Sequence, residues 1–338
     1  MATQTEHMRF IRKAVLPIAA IAGLACALAL AVFMETRDHA GEALCGGRRH
    51  DISRLPNGLT PHIALTAEGV PGQFLLDYGA TRSSLSADAF AGAAGSEKAA
   101  AISLPSFKKG AFRLARYDQP AQTATRQLGV IGTDFLSLLT AQFSGTSVYL
   151  GDHACEAKAL RARGLVPVSQ SGFFSSDLST IKSGLANVPV VYISLGGVRA
   201  WAQIDTGYAD TVYPHSVDIN EALYDRLAAS GVRLERLRDL GVWTCEGHES
   251  RRVYAVTDKA LAIENERGQP IVETSSFVLI VKPASGCGGI GAMSEPAAQL
   301  GASFLRLFGT IVFDPKSATV WLDGGAGKRG LAGLADVP

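Results

Sequence analysis

The chain has no block of basic residues and almost no net charge: 32 Lys and Arg face 31 Asp and Glu, for a formal +1. A nucleic-acid surface needs a basic patch, so nucleic acid is not expected as the main partner. Metal-ligand spacing is missing as well. His50, His62, His153, His215 and His248 are scattered, and neither a metal nor an organic cofactor is implied. No tract is extreme enough in composition to read as disordered, and long amphipathic helices are few. Also absent is any series of strand–helix–strand units. That disposes of Gly286-Cys287-Gly288-Gly289-Ile290-Gly291, which matches a dinucleotide-binding pattern after an apolar strand but is soon followed by Pro296. What remains is a Gly-rich, strand-and-turn composition, the mark of a mostly β protein. Its 338 residues are enough for two lobes.

Cysteine is sparse, with five in all. Cys26 falls in an apolar run and reads as a small filler. Cys45 and Cys155 bracket one half of the chain, and Cys245 and Cys287 fall in the other. An oxidising compartment would permit one disulfide in each half, but four cysteines allow three pairings and sequence does not choose.

Ala14 to Met34 is a stretch of 21 residues without a charge, preceded by Arg9, Arg12 and Lys13. That length spans a bilayer as a helix and exceeds the usual core of a signal peptide, which favours an uncleaved anchor. Arg37, Arg48 and Arg49 follow the span, so the count of basic residues is a tie. The short basic tail at the membrane edge breaks it, placing residues 1–13 in the cytoplasm and the body outside, in the periplasm.

The rest of the chain is organised around two acids. Gln73-Phe74-Leu75-Leu76-Asp77-Tyr78-Gly79-Ala80 and Ala202-Gln203-Ile204-Asp205-Thr206-Gly207-Tyr208 are both apolar-leaning runs ending in Asp-x-Gly. Pro61 lies sixteen residues before Asp77, and Pro189 sixteen before Asp205. Gly69-Val70 and Gly197-Val198 fall in register between them, so each copy reads as a hairpin delivering a carboxylate at its end. Downstream, Gly132-Thr133-Asp134-Phe135-Leu136 is echoed by Gly301-Ala302-Ser303-Phe304-Leu305. Strand pairs then end at Val148-Tyr149-Leu150 and Val320-Trp321-Leu322. Three matched landmarks in one order read as an internal duplication, with a larger insertion in the second copy.

The expected organisation is a tail (1–13), an anchor (14–34), a tether (35–56), a first lobe (57–155), a linker (156–186), a second lobe (187–325) and a C-terminal tail (326–338). Ser86 is a plausible N-cap for a short helix over Ala87 to Ala94. Ile102 to Thr125 reads either as a hairpin over the acid or as an ordinary surface loop. Asp218 to Ser230 reads as an amphipathic helix stopped by Gly231, and Ser275 to Val281 as a buried strand.

The motifs resemble the aspartic proteases, both retroviral-like and two-lobed pepsin-like, over roughly Gly58 to Gly324. Those families carry Asp-Thr/Ser-Gly-Ala/Ser-x-x-Ser after a strand, then an apolar pair and glycine. Asp77-Tyr78-Gly79-Ala80-Thr81-Arg82-Ser83 is similar to the first element, with Val130-Ile131-Gly132 as its partner. Ile204-Asp205-Thr206-Gly207 and Gln299-Leu300-Gly301 are similar in the second half. The resemblance implies a two-lobed, mostly β acid-protease-like fold behind one transmembrane helix. It implies an aspartic endopeptidase with Asp77 and Asp205 as its dyad, supported by Gly79, Thr206 and Gly207, and a peptide or protein as substrate. With both acids in one chain, a monomer suffices as the catalytic unit. Two positions depart from the pattern: Tyr78 replaces the family's hydroxyl residue, and Tyr208 a small residue, making both candidates for shaping the cleft. The alternative reading is a pseudoprotease that binds a peptide or a partner protein between its lobes without turnover.

Overall fold

The computed structural model describes residues 42–53, 59–104, 110–117, 126–169, 173–174, 188–210, 212–213, 215–244, 246–284 and 289–323. The expected anchor at 14–34, Cys26, Cys245 and Cys287 lie outside these residues. So do residues 105–109 and 118–125 of the stretch read as a hairpin or surface loop, and most of the Gly-rich stretch beginning at Gly286. Among the described residues no helix is long and apolar enough to cross a membrane.

The fold is mostly β, as expected. Two large sheets carry nearly all of the regular structure, one of twelve strands and one of eleven. Among the described residues helices are few and short: Thr133–Leu136, Ala157–Ala162 and Glu221–Ala229, with 3-10 turns such as Ala302–Leu307. A continuous apolar core runs through residues of both sheets.

Each sheet contains the same hairpin. His62–Ala67 pairs antiparallel with Val70–Leu76, and Val188–Leu195 with Val198–Ile204. The turns between them have positive φ at both central residues, Glu68 (49°) and Gly69 (79°) in one and Gly196 (58°) and Gly197 (82°) in the other. Such turns match the right-handed twist of the strands they join, which is why glycine recurs there.

The second strand of each hairpin then lies parallel to a strand from much later in the chain. Leu76 sits beside Ile131, and Ile204 beside Leu300. Ser84–Ser86 continues the first sheet antiparallel to Gln127–Ile131, and Ser216–Asn220 continues the second antiparallel to Ala297–Leu300. The two sheets therefore repeat one pattern of neighbours around each acid.

The repeat continues outward: Ser84–Ser86 lies parallel to Gly110–Ala115, itself antiparallel to Glu97–Ala100, and Ser216–Asn220 lies parallel to Val278–Lys282, itself antiparallel to Gly247–Val256. The two halves part company at the other ends of the sheets. Thr310–Asp314, near the C-terminal end of the described chain, pairs with Thr140–Ser144, so the last strands belong to the twelve-stranded sheet. Within the segment read as a linker, Leu165–Ser169 pairs with Thr319–Asp323 in that sheet. A disulfide joins Cys45 to Cys155, closing 110 residues of sequence separation beside Trp321 and Leu160.

Two local expectations need correction. Ala87 to Ala94 is a turn rather than a helix: Ser86 ends a strand, Phe90 is buried, and Ala91 takes a φ of 48° that breaks any helical run. The helix expected over Asp218 to Ser230 begins at Glu221, not Asp218. Asn220 caps it by accepting the Leu223 amide at 3.0 Å, and Asp218 instead belongs to the fully buried strand before it. Its stop at Gly231, with φ 77°, is as expected.

Candidate active site

The two Asp-x-Gly loops leave their parallel strands in the same way. The Asp77 amide donates to the Ile131 carbonyl at 2.9 Å, and the Asp205 amide to the Leu300 carbonyl at 2.8 Å. Downstream, the Thr133 amide donates to the Ala80 carbonyl and the Ala302 amide to the Tyr208 carbonyl, both at 2.8 Å. A Cβ on Gly132 would stand 2.7 Å from the Ala80 oxygen, and one on Gly301 2.7 Å from the Tyr208 oxygen. Only glycine permits so close a passage of two backbones, which explains the glycine that follows Ile131 and Leu300.

These loops bring Asp77 and Asp205 together although 128 positions separate them in sequence (205 − 77). A Cβ on Gly79 would overlap the Asp205 carboxyl, and a Cβ on Gly207 would overlap the Asp77 carboxyl. Each acid is thus seated against the glycine of the opposite loop. The Gly79 and Ala80 amides donate to Asp77 Oδ1 at 2.8 and 3.0 Å. The Gly207 amide donates to Asp205 Oδ1 at 2.9 Å.

Burial raises both carboxyls above their usual range. At Asp77 it is opposed by a hydrogen bond from Asp205 and by the amides of Gly79, Ala80 and Gly207. Asp205 is pushed up further, by burial first and then by the negative charge of Asp77 beside it. Two buried carboxyls this close cannot both ionise cheaply, so the pair shares a proton.

Thr206 ties the loops together. Its hydroxyl donates to the Leu76 carbonyl at 2.6 Å and accepts the Tyr78 amide at 3.0 Å. The Tyr78 hydroxyl does not reciprocate from the first loop. The Tyr78 side chain is fully buried, stacked on Phe313 with ring centroids 4.0 Å apart and set edge-on to Phe143. Its hydroxyl has no hydrogen-bond partner among the described residues. Burial raises its pKa far above that of a free phenol. Tyr78 is therefore a core residue behind the site, not a wall of the cleft. Tyr208 is half-buried, and its hydroxyl lies against Ser216 and Asp218.

Several residues that lie inside the quoted motifs take their roles only in the folded structure. Ser83 bridges two parts of the first loop: its hydroxyl donates to Asp134 Oδ1 at 2.6 Å and accepts the Gly132 amide at 2.8 Å. Asp134 also accepts the Ser83 amide at 2.9 Å. In the second sheet, Gln299 donates from Nε2 to Asp205 Oδ2 at 2.7 Å, and its Oε1 accepts from Lys282 at 2.8 Å. A glutamine in the place where the first copy has Val130 was the available clue. Among the described residues no group of three His, Cys, Asp or Glu side chains is arranged to hold a metal.

No family model matches the chain, and no curated protein matches it. Among solved structures, conglutin gamma, a basic 7S globulin from lupine seeds, is 10% identical at a TM-score of 0.48, covering 84% of this chain and 97% of that one. The soybean basic 7S globulin is 12% identical at 0.44, covering 83% and 95%. A structure titled edgp is 10% identical at 0.41, covering 85% and 98%. The membership in the aspartic proteases expected from the motifs is corrected by these comparisons. Two of the three structures named are basic 7S globulins, and no family model or curated protein ties the chain to that family.

Proposed function

We propose that Asp77 and Asp205 form an acid dyad that hydrolyses peptide bonds, an aspartic-type endopeptidase activity. The observation that carries this reading is the mutual seating of each carboxyl against the glycine of the other loop. Amide hydrolysis by water needs a base to activate the water and an acid to protonate the leaving nitrogen. A pair sharing one proton supplies both: the ionised carboxylate takes a proton from water while its protonated partner donates to the substrate. The oxygen of that water attacks the carbonyl, and the C–N bond then breaks as nitrogen receives its proton.

In this reading the two sheets are two lobes of an acid-protease-like fold produced by duplication, with an extended peptide lying between them. Asp77 and Asp205 are the catalytic groups. Gly79, Gly207 and Thr206 hold them in place. The lobes are taken as 57–155 and 187–325, with the last strands of the second, Thr310–Asp314 and Thr319–Asp323, lying in the sheet of the first, and with one chain forming the catalytic unit. We place the body outside the cytoplasm, in the periplasm, behind a membrane anchor at 14–34, and the Cys45–Cys155 bond supports an oxidising compartment.

Tyr78 favours a second reading. It leaves the cross-loop hydroxyl bonding one-sided, which suits a protein that binds a peptide or partner protein without turnover. A statine-type peptide distinguishes the roles of the acids, because its hydroxyl occupies the place of the attacking water. Calorimetry on the full chain should show binding that weakens at least tenfold in both Asp77→Asn and Asp205→Asn. Equal affinity in all three proteins would remove the dyad from the site.

A further inference from the structure

The second acid has a polar neighbourhood that the first lacks. Across the first sheet the row beside Asp77 reads Leu75, Val130 and Ser84. The matching row beside Asp205 reads Gln203, Gln299 and Asp218. A carboxylate and two amides thus replace two aliphatic side chains and a serine in a buried part of the sheet.

Lys282 connects this row to a buried charge cluster. Its Nζ lies 3.1 Å from Asp218 Oδ2 and donates to Gln299 Oε1 at 2.8 Å. Gln299 passes the polarity on through Nε2, which donates to Asp205 Oδ2 at 2.7 Å. Only one orientation of the amide satisfies both neighbours, with its oxygen toward the ammonium and its nitrogen toward the carboxylate. Asp218 is completely buried and also meets Arg251 at 3.5 Å, which is in turn paired to Glu249 at 2.6 Å. Lys282, Arg251, Asp218 and Glu249 therefore balance in charge among themselves.

We propose that Lys282 is a positioning residue for the acid pair: acting through Gln299, it stabilises the ionised form of Asp205 and keeps that acid able to release its proton. The inference rests on the reading of Asp77 and Asp205 as a dyad. Burial and the neighbouring Asp77 charge both favour the protonated form of Asp205, and on their own would hold the proton there. A dyad that works as both base and acid must move that proton during each turnover. The Lys282 charge opposes the other two influences at Asp205. The remaining groups facing this end of the site are Asp77, Asp218, Arg251, Glu249 and Tyr208, whose own titration Asp210 also affects. The Lys282 ammonium lies 6.0 Å from the centre of the Tyr208 ring.

The test is a titration that needs no turnover. The full chain would carry 13C-carboxyl aspartate, with the dyad signals assigned by Asp77→Asn and Asp205→Asn. Lys282→Met should move the Asp205 midpoint to higher pH by about 1 unit, the lower end of what a nearby opposite charge gives. Lys282→Arg should keep it near the wild-type position. Gln299→Met removes the relay without unpairing Asp218, so it remains informative if Lys282→Met does not fold, and it should move the midpoint the same way. Unmoved midpoints in the folded variants overturn the proposal. Cleavage assays run beside the titration separate the two claims. A shifted midpoint in a protein that cleaves nothing leaves Lys282 in this role and removes the peptidase. Cleavage that needs both acids while the midpoint stays fixed removes Lys282 alone.

Discussion

The Tyr78 amide donates to the Thr206 hydroxyl at 3.0 Å, but the Tyr78 side chain returns no hydrogen bond across the site. It turns instead into the core and stacks on Phe313. The hydroxyl bonding between the two loops therefore rests on Thr206, and aromatic packing holds the first loop from behind.

That geometry predicts opposite outcomes for two substitutions. Tyr78→Phe removes a buried hydroxyl with no partner among the described residues, and should leave stability unchanged or raise it by up to about 1 kcal/mol. Tyr78→Thr would supply a hydroxyl but empty the space beside Phe313, and should cost about 3 to 5 kcal/mol, as other aromatic truncations in cores do. Urea unfolding of both variants checks the pair. A stable Tyr78→Thr protein would mean that the stacking contributes little.

Gly79→Ala and Gly207→Ala should disable the site while leaving the sheets intact. A methyl at either position overlaps the opposite carboxyl, so one loop has to move. Displacement of a catalytic group by about 1 Å costs on the order of 100-fold in rate. Initial rates on a cleaved peptide, with circular dichroism to confirm folding, measure this.

The pH dependence of stability has a definite sign. Asp205 is raised well above 3.8 in the folded protein, so its contribution is fully present below the unfolded value and is lost as pH rises through the folded one. Asp205→Asn should match the wild type in stability at the acid end and exceed it increasingly toward neutrality. Each unit of separation between folded and unfolded pKa is worth about 1.4 kcal/mol. Denaturation at a series of pH values tests this, and a difference that does not vary with pH would contradict a raised Asp205.

Reduction should destabilise the body. The Cys45–Cys155 bond closes 110 residues of sequence separation, and a loop of that size corresponds to about 4 to 5 kcal/mol in the chain-entropy description. Thermal melts with and without reductant, and of Cys45→Ser, give the value.

The acids and their hairpins were legible because the pattern is local. Strand, two-residue turn, strand and acid all fall within the sixteen residues between Pro61 and Asp77, and again between Pro189 and Asp205. The apolar pair and glycine were legible for the same reason, since close backbone passage at Gly132 and Gly301 demands glycine. What was not legible depends on remote pairing. Nothing near Thr310–Asp314 shows that it pairs with Thr140–Ser144. The polar row is similar: Gln299, Asp218 and Lys282 come from three strands, each reading alone as a buried strand or a helix start. Over Ala87 to Ala94 the helix signal was outweighed by burial of Phe90 and the left-handed turn at Ala91.

Cleavage of a peptide library by the full chain, across about pH 3 to 8, tests the central claim most directly when run beside Asp77→Asn and Asp205→Asn. The account predicts cleavage by the wild type that disappears in both variants, with a pH profile set by the coupled pair rather than by either acid alone. Folded wild-type protein that cleaves nothing at any pH, or a variant that cleaves as well as the wild type, would contradict it.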